Sequence, residues 1–269
     1  MVNIVGVGDN VVDKYLDLGL MFPGGNAVNV PVLACKYCNA GAAYIGALGD
    51  DRAGRHIYEV LQKEGIDVSR TRIIEGSNAY AEVTLVDGDR VFVGGHKGVS
   101  DQIHLTNDDY EYLKKFDIIH TSVFSFIESE LDNLSKTGKI LSFDFSDTYE
   151  QSYLEKTLHL VDFAFFSGGD KPLDEIKTFQ KQVSAKGPRL VLVTRGSKGA
   201  VLYYKDEYYV QSSAPTKVVD TLGAGDAFIA GFIVNILEGR EVSASLQRAA
   251  EVAAKTCRYF GAFGYGLRC

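Results

Sequence analysis

Short apolar runs alternate with stretches of helical period along most of the chain, the pattern of a parallel sheet with helices packed on its faces. Val2-Asn3-Ile4-Val5-Gly6-Val7-Gly8 reads as a buried first strand with glycines at its exit. Residues 26–37 read as a helix, 42–48 as a strand, and 52–64 as a second helix that Gly65 ends. Strands follow at 117–121, 140–145, 161–166 and 189–194, with helical stretches near 127–138, 150–159 and 173–186 between them. Helices near 224–238 and 243–260 close the chain.

Two segments break this alternation. Residues 79–86 alternate in the manner of a strand, Asp87-Gly88-Asp89 turns, and 90–93 returns. Asp-Gly between two such runs is a strong hairpin signal. With 15–18 and 72–74 the hairpin predicts a small sheet outside the parallel stack, drawn from about 12–20 and 70–98. Such a sheet is placed to cover the carboxyl ends of the parallel strands, where α/β folds hold their ligands. The expectation is a lid inserted into a single domain spanning 1–269.

Composition narrows the field of functions. Hydrophobic residues make up 46% of the 269, enough for a sizeable core that needs neither metal nor disulfide to fold. Lys and Arg number 28 against 35 Asp and Glu, a net charge of −7, which lacks the basic footprint of a nucleic-acid binder. No apolar run approaches the length of a membrane span, and Met1 leads into Val2-Asn3-Ile4 without a basic leader. A cytoplasmic protein with neither nucleic acid nor membrane as partner is expected. Cys35 and Cys38 form a lone C-x-x-C, while Cys257 and Cys269 are spaced too widely to complete a zinc ribbon. The pair falls on the amphipathic stretch that begins at 27 and reads as packed apolar residues, with a redox pair as the alternative.

The segment richest in chemistry is Val218-Val219-Asp220-Thr221-Leu222-Gly223-Ala224-Gly225-Asp226-Ala227-Phe228-Ile229-Ala230-Gly231. A Gly-Ala-Gly turn opens a helix of small residues, and missing side chains let a ligand approach the free N–H groups of the first turn. That end carries partial positive charge and suits a phosphate. Asp226 in the first turn either complements the helix dipole or accepts the proton of an attacking hydroxyl; spacing alone leaves both open. A second pair, Gly24-Gly25, precedes Asn26, a residue suited to capping a helix. Asp9, Asn10 and Asp13 follow the first strand, as sugar ligands or as ordinary loop residues. Thr194-Arg195-Gly196-Ser197-Lys198-Gly199 is another glycine-rich strand exit. Neither a P-loop nor a complete dinucleotide fingerprint is present, since Gly6-x-Gly8 runs on to Val11 where the third glycine belongs.

Together these segments resemble the PfkB/ribokinase family of carbohydrate kinases. One family motif is similar to Asp220–Gly231; another to Gly24-Gly25-Asn26-Ala27-Val28-Asn29, followed by Gly49-Asp50-Asp51 and Gly54. The resemblance implies an α/β, ribokinase-like three-layer core with a small β lid, and ATP and Mg²⁺ as cofactors. It implies Asp226 as general base, with the N–H groups of Gly223, Ala224 and Gly225 as an anion hole. Asp13, Asn29 and Gly25 match positions that hold sugar hydroxyls, and Asp9 joins them. Thr194, Gly196 and Gly199 match the strand exit along the nucleotide phosphates. Asp220 and Thr221 fall where relatives hold a monovalent cation such as K⁺. Segments such as Gly8-Asp9-Asn10-Val11-Val12-Asp13, Asp89-Arg90-Val91-Phe92 and Ser142-Phe143-Asp144-Phe145-Ser146-Asp147 are similar to family members that phosphorylate the 6-position of fructoselysine, an Amadori sugar-amine. A nucleoside or aminoimidazole-riboside kinase and a catalytically silent sugar-binding relative are the alternatives. Where many members carry Asn-x-x-Glu for Mg²⁺, this chain reads Ser167-Gly168-Gly169-Asp170, so the resemblance assigns no Mg²⁺ ligand. It also implies pairing of lids in a homodimer.

Overall fold

The computed structural model describes residues 1–86, 89–147 and 150–269; the turn expected at Asp87-Gly88 lies outside them. The chain opens with β1 (Asn3–Val7), β2 (Val11–Tyr15), β3 (Leu20–Gly24) and α1 (Asn26–Cys38). Next come β4 (Gly41–Ile45), β5 (Ala47–Gly49), α2 (Arg52–Lys63), β6 (Arg72–Ile74), β7 (Tyr80–Val86) and β8 (Asp89–His96). The middle holds α3 (Asn107–Leu113), β9 (Ile118–Ser122), α4 (Leu131–Ser135), β10 (Ile140–Asp144), α5 (Gln151–Thr157), β11 (Phe163–Ser167) and α6 (Leu173–Ser184). It ends with β12 (Leu190–Thr194), β13 (Ala200–Tyr204), β14 (Glu207–Gln211), α7 (Ala224–Leu237), α8 (Val242–Thr256) and β15 (Leu267–Arg268).

An eight-stranded sheet runs β14-β13-β12-β11-β10-β9-β1-β4, parallel except for the β13 and β14 edge. Alternation along its strands divides two cores. Ile4, Tyr44, Ile118, Phe163, Phe165, Leu190 and Leu192 pack with α1, α2, α7 and α8. Their neighbours Val5, Ile45, Ile119, Leu141, Phe166 and Val193 pack with α3, α4, α5 and α6. Backbone approach sets the position of α1: a Cβ on Gly6 would stand 1.8 Å from Ala27 O. The start of α1 is thereby held over the exit of β1.

The small sheet runs β15-β3-β2-β7-β8, and several expectations about it need correction. The strand expected at 15–18 is Val11–Tyr15, which ends where 15–18 was to begin. Arg72–Ile74 does not join it, pairing instead with Ala47–Gly49 in a two-stranded sheet. The strand expected over 42–48 is split at Gly46, because the Tyr44 hydroxyl passes beneath it to Gly8 O at 2.7 Å; a Cβ on Gly46 would stand 2.0 Å from that hydroxyl. The helix expected near 127–138 shrinks to a 3₁₀ turn and the five residues of α4, and α8 stops at Thr256. Among the described residues no helix is long and apolar enough to cross a membrane.

Candidate active site

A cavity of about 600 Å³ opens beside the N-terminus of α7. One wall is the turn after β12, with Thr194, Gly196 and Gly199, and another is Thr221, Ala224 and Gly225. Phe228, Ala250, Ala253, Ala254 and Cys257 from α7 and α8 form an apolar wall. Small residues make this room. Gly225 has nothing within 4 Å of where a Cβ would be, whereas a Cβ on Gly223 would meet Ala262 Cβ at 2.4 Å. Gly223 has φ +71, a left-handed conformation that glycine adopts without steric penalty. The Ala224 N–H turns back to Thr221 O at 3.2 Å and the Ala227 N–H to Gly223 O at 2.8 Å. An apolar slot ending at two glycine turns and a helix N-terminus suits a heterocycle with a phosphate tail.

Half-buried Asp226 stands in the first turn of α7. Its Oδ1 accepts from Asn26 Nδ2 at 2.7 Å and its Oδ2 from Asn29 Nδ2 at 2.6 Å. Burial pushes this carboxyl up to about 6, against the lowering effect of Asn29 and Asn26. The second hydrogen of the Asn26 amide goes to Asp144 Oδ2 at 2.8 Å. Burial, then the Asp226 charge, push Asp144 up to about 7. A carboxylate of this kind accepts a proton near neutral pH.

The residues expected to hold sugar hydroxyls lie on β2 and at the start of α1. Gly25 has φ +103, and a Cβ there would stand 2.6 Å from Asn10 Cα. Asp13 is buried on β2, and Gly24 leaves room for it, since a Cβ would stand 2.4 Å from Asp13 Oδ2. Asn29 Oδ1 is buried and has no partner among the described residues. Asp9, in contrast, is filled by the protein. It accepts from the N–H groups of Asn26 (2.6 Å) and Ala27 (3.2 Å) and from the hydroxyls of Ser122 (2.9 Å) and Ser125 (2.7 Å). Asp9 therefore satisfies the start of α1, and Asn26, expected as the cap, follows Gly25 and turns its side chain into the site.

Asp220 is likewise committed. Its carboxylate accepts from Tyr15 Oη at 2.5 Å, Gly261 N at 2.9 Å and Leu222 N at 3.0 Å. The turn before α7 is thus tied to β2 and to the C-terminal segment. Thr221 O accepts from the Ala224 N–H. Among the described residues no group of three or more His, Cys, Asp or Glu side chains is placed to hold a metal. Cys35 and Cys38 lie on α1, unpaired. Burial, then Glu238, push the Cys38 thiol up to about 11, which makes it a poor redox thiol.

An apolar cavity closed by glycine turns, beside a half-buried carboxylate held by two asparagine amides, fits the cleft of a small-molecule kinase. The chain belongs to the pfkB family of carbohydrate kinases, whose profile matches residues 19–264. It is 41% identical to the fructosamine kinase FrlD of Bacillus subtilis over 98% of this chain and 93% of the relative. It is 34% identical to the fructoselysine 6-kinase of Escherichia coli, over 98% and 100% respectively. Among solved structures, the ribokinase of Arabidopsis thaliana complexed with ribose and ATP superposes with a TM-score of 0.82 at 23% identity, covering 97% of this chain and 94% of that one. The fructokinase of Xylella fastidiosa with bound ATP gives 0.81 at 19%, covering 97% and 94%. The fold is ribokinase-like, and the protein is an ATP-dependent sugar kinase.

Proposed function

We propose that this kinase transfers the terminal phosphoryl group of ATP to the 6-hydroxyl of fructoselysine or a related Amadori sugar-amine. The observation that carries the chemistry is Asp226, held by Asn26 and Asn29 and next in sequence to Ala224 and Gly225 of the cavity wall. Asp226 takes the hydroxyl proton as the oxygen attacks phosphorus, and ADP leaves with the bridging oxygen. The N–H groups of Gly223 and Gly225 face the developing charge; that of Ala224 joins them once it releases Thr221 O. Thr194, Gly196 and Gly199 lie along the phosphates. Asp13, Gly25 and Asn29 hold the sugar, the unpartnered Asn29 Oδ1 awaiting a hydroxyl donor, while Asp9 acts by holding α1.

Bound with the nucleotide, Mg²⁺ would supply charge neutralisation at the phosphates. Backbone oxygens at Asp220 and Thr221 suit a monovalent ion such as K⁺. Unpaired cysteines and ATP dependence fit a cytoplasmic setting. Identity with the fructosamine and fructoselysine kinases favours the sugar-amine over a nucleoside acceptor. A panel of fructoselysine, psicoselysine, fructose, ribose, adenosine and aminoimidazole riboside, assayed by ADP release, tests this. Turnover is expected with the Amadori compounds; preference for a nucleoside or plain sugar overturns the assignment, and binding of ATP without turnover on any acceptor favours a silent relative.

The five-stranded sheet serves as the lid that excludes water from the transfer. Its outer strand β8 exposes Val91, Phe92 and Val93, an apolar edge that calls for cover. We propose that a second copy of the chain supplies it, forming a homodimer through the lids. Sedimentation is expected to show a dimer, and a monomer at all concentrations would remove the idea.

A further inference from the structure

His120 sits on β9 with no exposed surface. It lies opposite Ser142 in the parallel β9–β10 register. Both ring nitrogens are engaged, Nδ1 at 2.8 Å from Ser142 Oγ and Nε2 at 2.8 Å from Asn26 Oδ1. The far end of this chain fixes every proton in it. Asp144 and Asp226 are acceptors when ionised, so Asn26 turns its NH₂ group toward them. The Asn26 carbonyl oxygen then faces His120, whose Nε2 carries the hydrogen and donates. Nδ1 is left as an acceptor and takes the Ser142 hydroxyl proton. Burial, which pushes the imidazole down to about 3, keeps it neutral in this tautomer at working pH.

We propose that His120, oriented by Ser142 and acting through Asn26, is a positioning residue that locks the Asn26 amide with its NH₂ toward Asp226. The proposal rests on the reading of Asp226 as general base. A side-chain amide has two ends of nearly equal size, and only its partners decide which way it points. Rotated, Asn26 would set its oxygen against two carboxylates. Asp226 would then keep the Asn29 donor alone. The charged and titratable groups around Asp226 are Asp144 on β10, Asp9 at the exit of β1 and neutral His120 on β9, beside the amides of α1. Burial, and more weakly Asp9, push Asp226 upward, and the Asn29 and Asn26 amide donors oppose them in favour of the ionised form.

The base must be ionised, so turnover is lost as pH falls through the Asp226 pKa, near 6. Removing the Asn26 donor raises that pKa. In His120→Phe the acid limb of kcat is expected to move up by about one pH unit, with kcat at pH 7 down roughly 10–100-fold and KM values for sugar and ATP less affected. His120→Gln, whose amide can donate to Asn26, is expected to recover most of the limb position. Should His120→Phe fail to fold, Ser142→Ala carries the test, with a smaller shift in the same direction. An acid limb unmoved in a folded His120→Phe or Ser142→Ala variant, or moved equally in His120→Gln, overturns the proposal. Asp226→Asn separates the two ideas. If it retains turnover, the base reading fails; if it is inactive while His120→Phe keeps the wild-type limb, only the relay fails.

Discussion

Asp226→Asn is expected to lower kcat by roughly 10²–10⁴-fold while leaving ATP affinity within a few-fold of the parent, the range general-base catalysis contributes. The size follows from what the site offers the attacking hydroxyl. Asp226 is held by two amide donors on α1 at the helix end beside the cavity, and its pKa near 6 leaves it ionised yet still basic at pH 7. Asparagine keeps the shape and loses the proton acceptor. It also sets its own NH₂ against that of Asn26 or Asn29, so a local shift of α1 is expected. Calorimetric ATP binding, together with unchanged circular dichroism, separates that shift from the loss of the base. A folded variant that turns over at near the parent rate would remove the role.

The parts of this site legible in the sequence are those written in consecutive residues. Gly223, Gly225 and Asp226 lie within one turn, and the start of α7 at Ala224 follows from the glycines that precede it. Gly24-Gly25 likewise announces α1. His120, Ser142 and Asp144 do not stand out as site residues because they are isolated polar positions in short, mostly apolar strands, and His120 and Asp144 reach Asn26 only across 94 or more positions of sequence. Alternation did hold a signal. Leu141 and Phe143 face one core, so Ser142 and Asp144 must face the α1 side. Polar residues on that face, at the end of a parallel strand, point to a ligand.

Elements that the sequence pattern does not announce have equally specific causes. The β13–β14 hairpin turns at Lys205 and Asp206, both with positive φ, without the Asn-Gly or Asp-Gly that betrays such a turn. Pro23 within Leu20–Gly24 speaks against a strand, yet that segment pairs with β2 along its whole length. Arg72–Ile74 has three residues and no pattern to say which sheet it joins. Asn26 suits a cap by type and place, but the cap position is Gly25, whose carbonyl takes the N–H groups of Val28 and Asn29, while Asp9 takes those of Asn26 and Ala27.

Asp9 carries the second large effect, and its signature differs from that of a sugar ligand. Asp9→Ala strips the partner from two N–H groups at the start of α1 and from two serine hydroxyls, all in a buried setting. A buried donor left unpaired costs about 1–3 kcal/mol. The serines can partly re-pair, so a net loss of about 3 kcal/mol is expected, a fall in Tm of roughly 6–12 °C for a chain of this size. Because α1 also presents Asn26 and Asn29 to Asp226, kcat is expected to fall along with stability. Asp13→Ala is expected instead to raise KM for the sugar by about tenfold or more with a smaller change in Tm. Thermal unfolding and steady-state kinetics on the two variants decide between anchor and ligand. An Asp9→Ala protein with the parent Tm and a raised sugar KM would make Asp9 a direct contact of the substrate, and the hold on α1 would have to come from elsewhere.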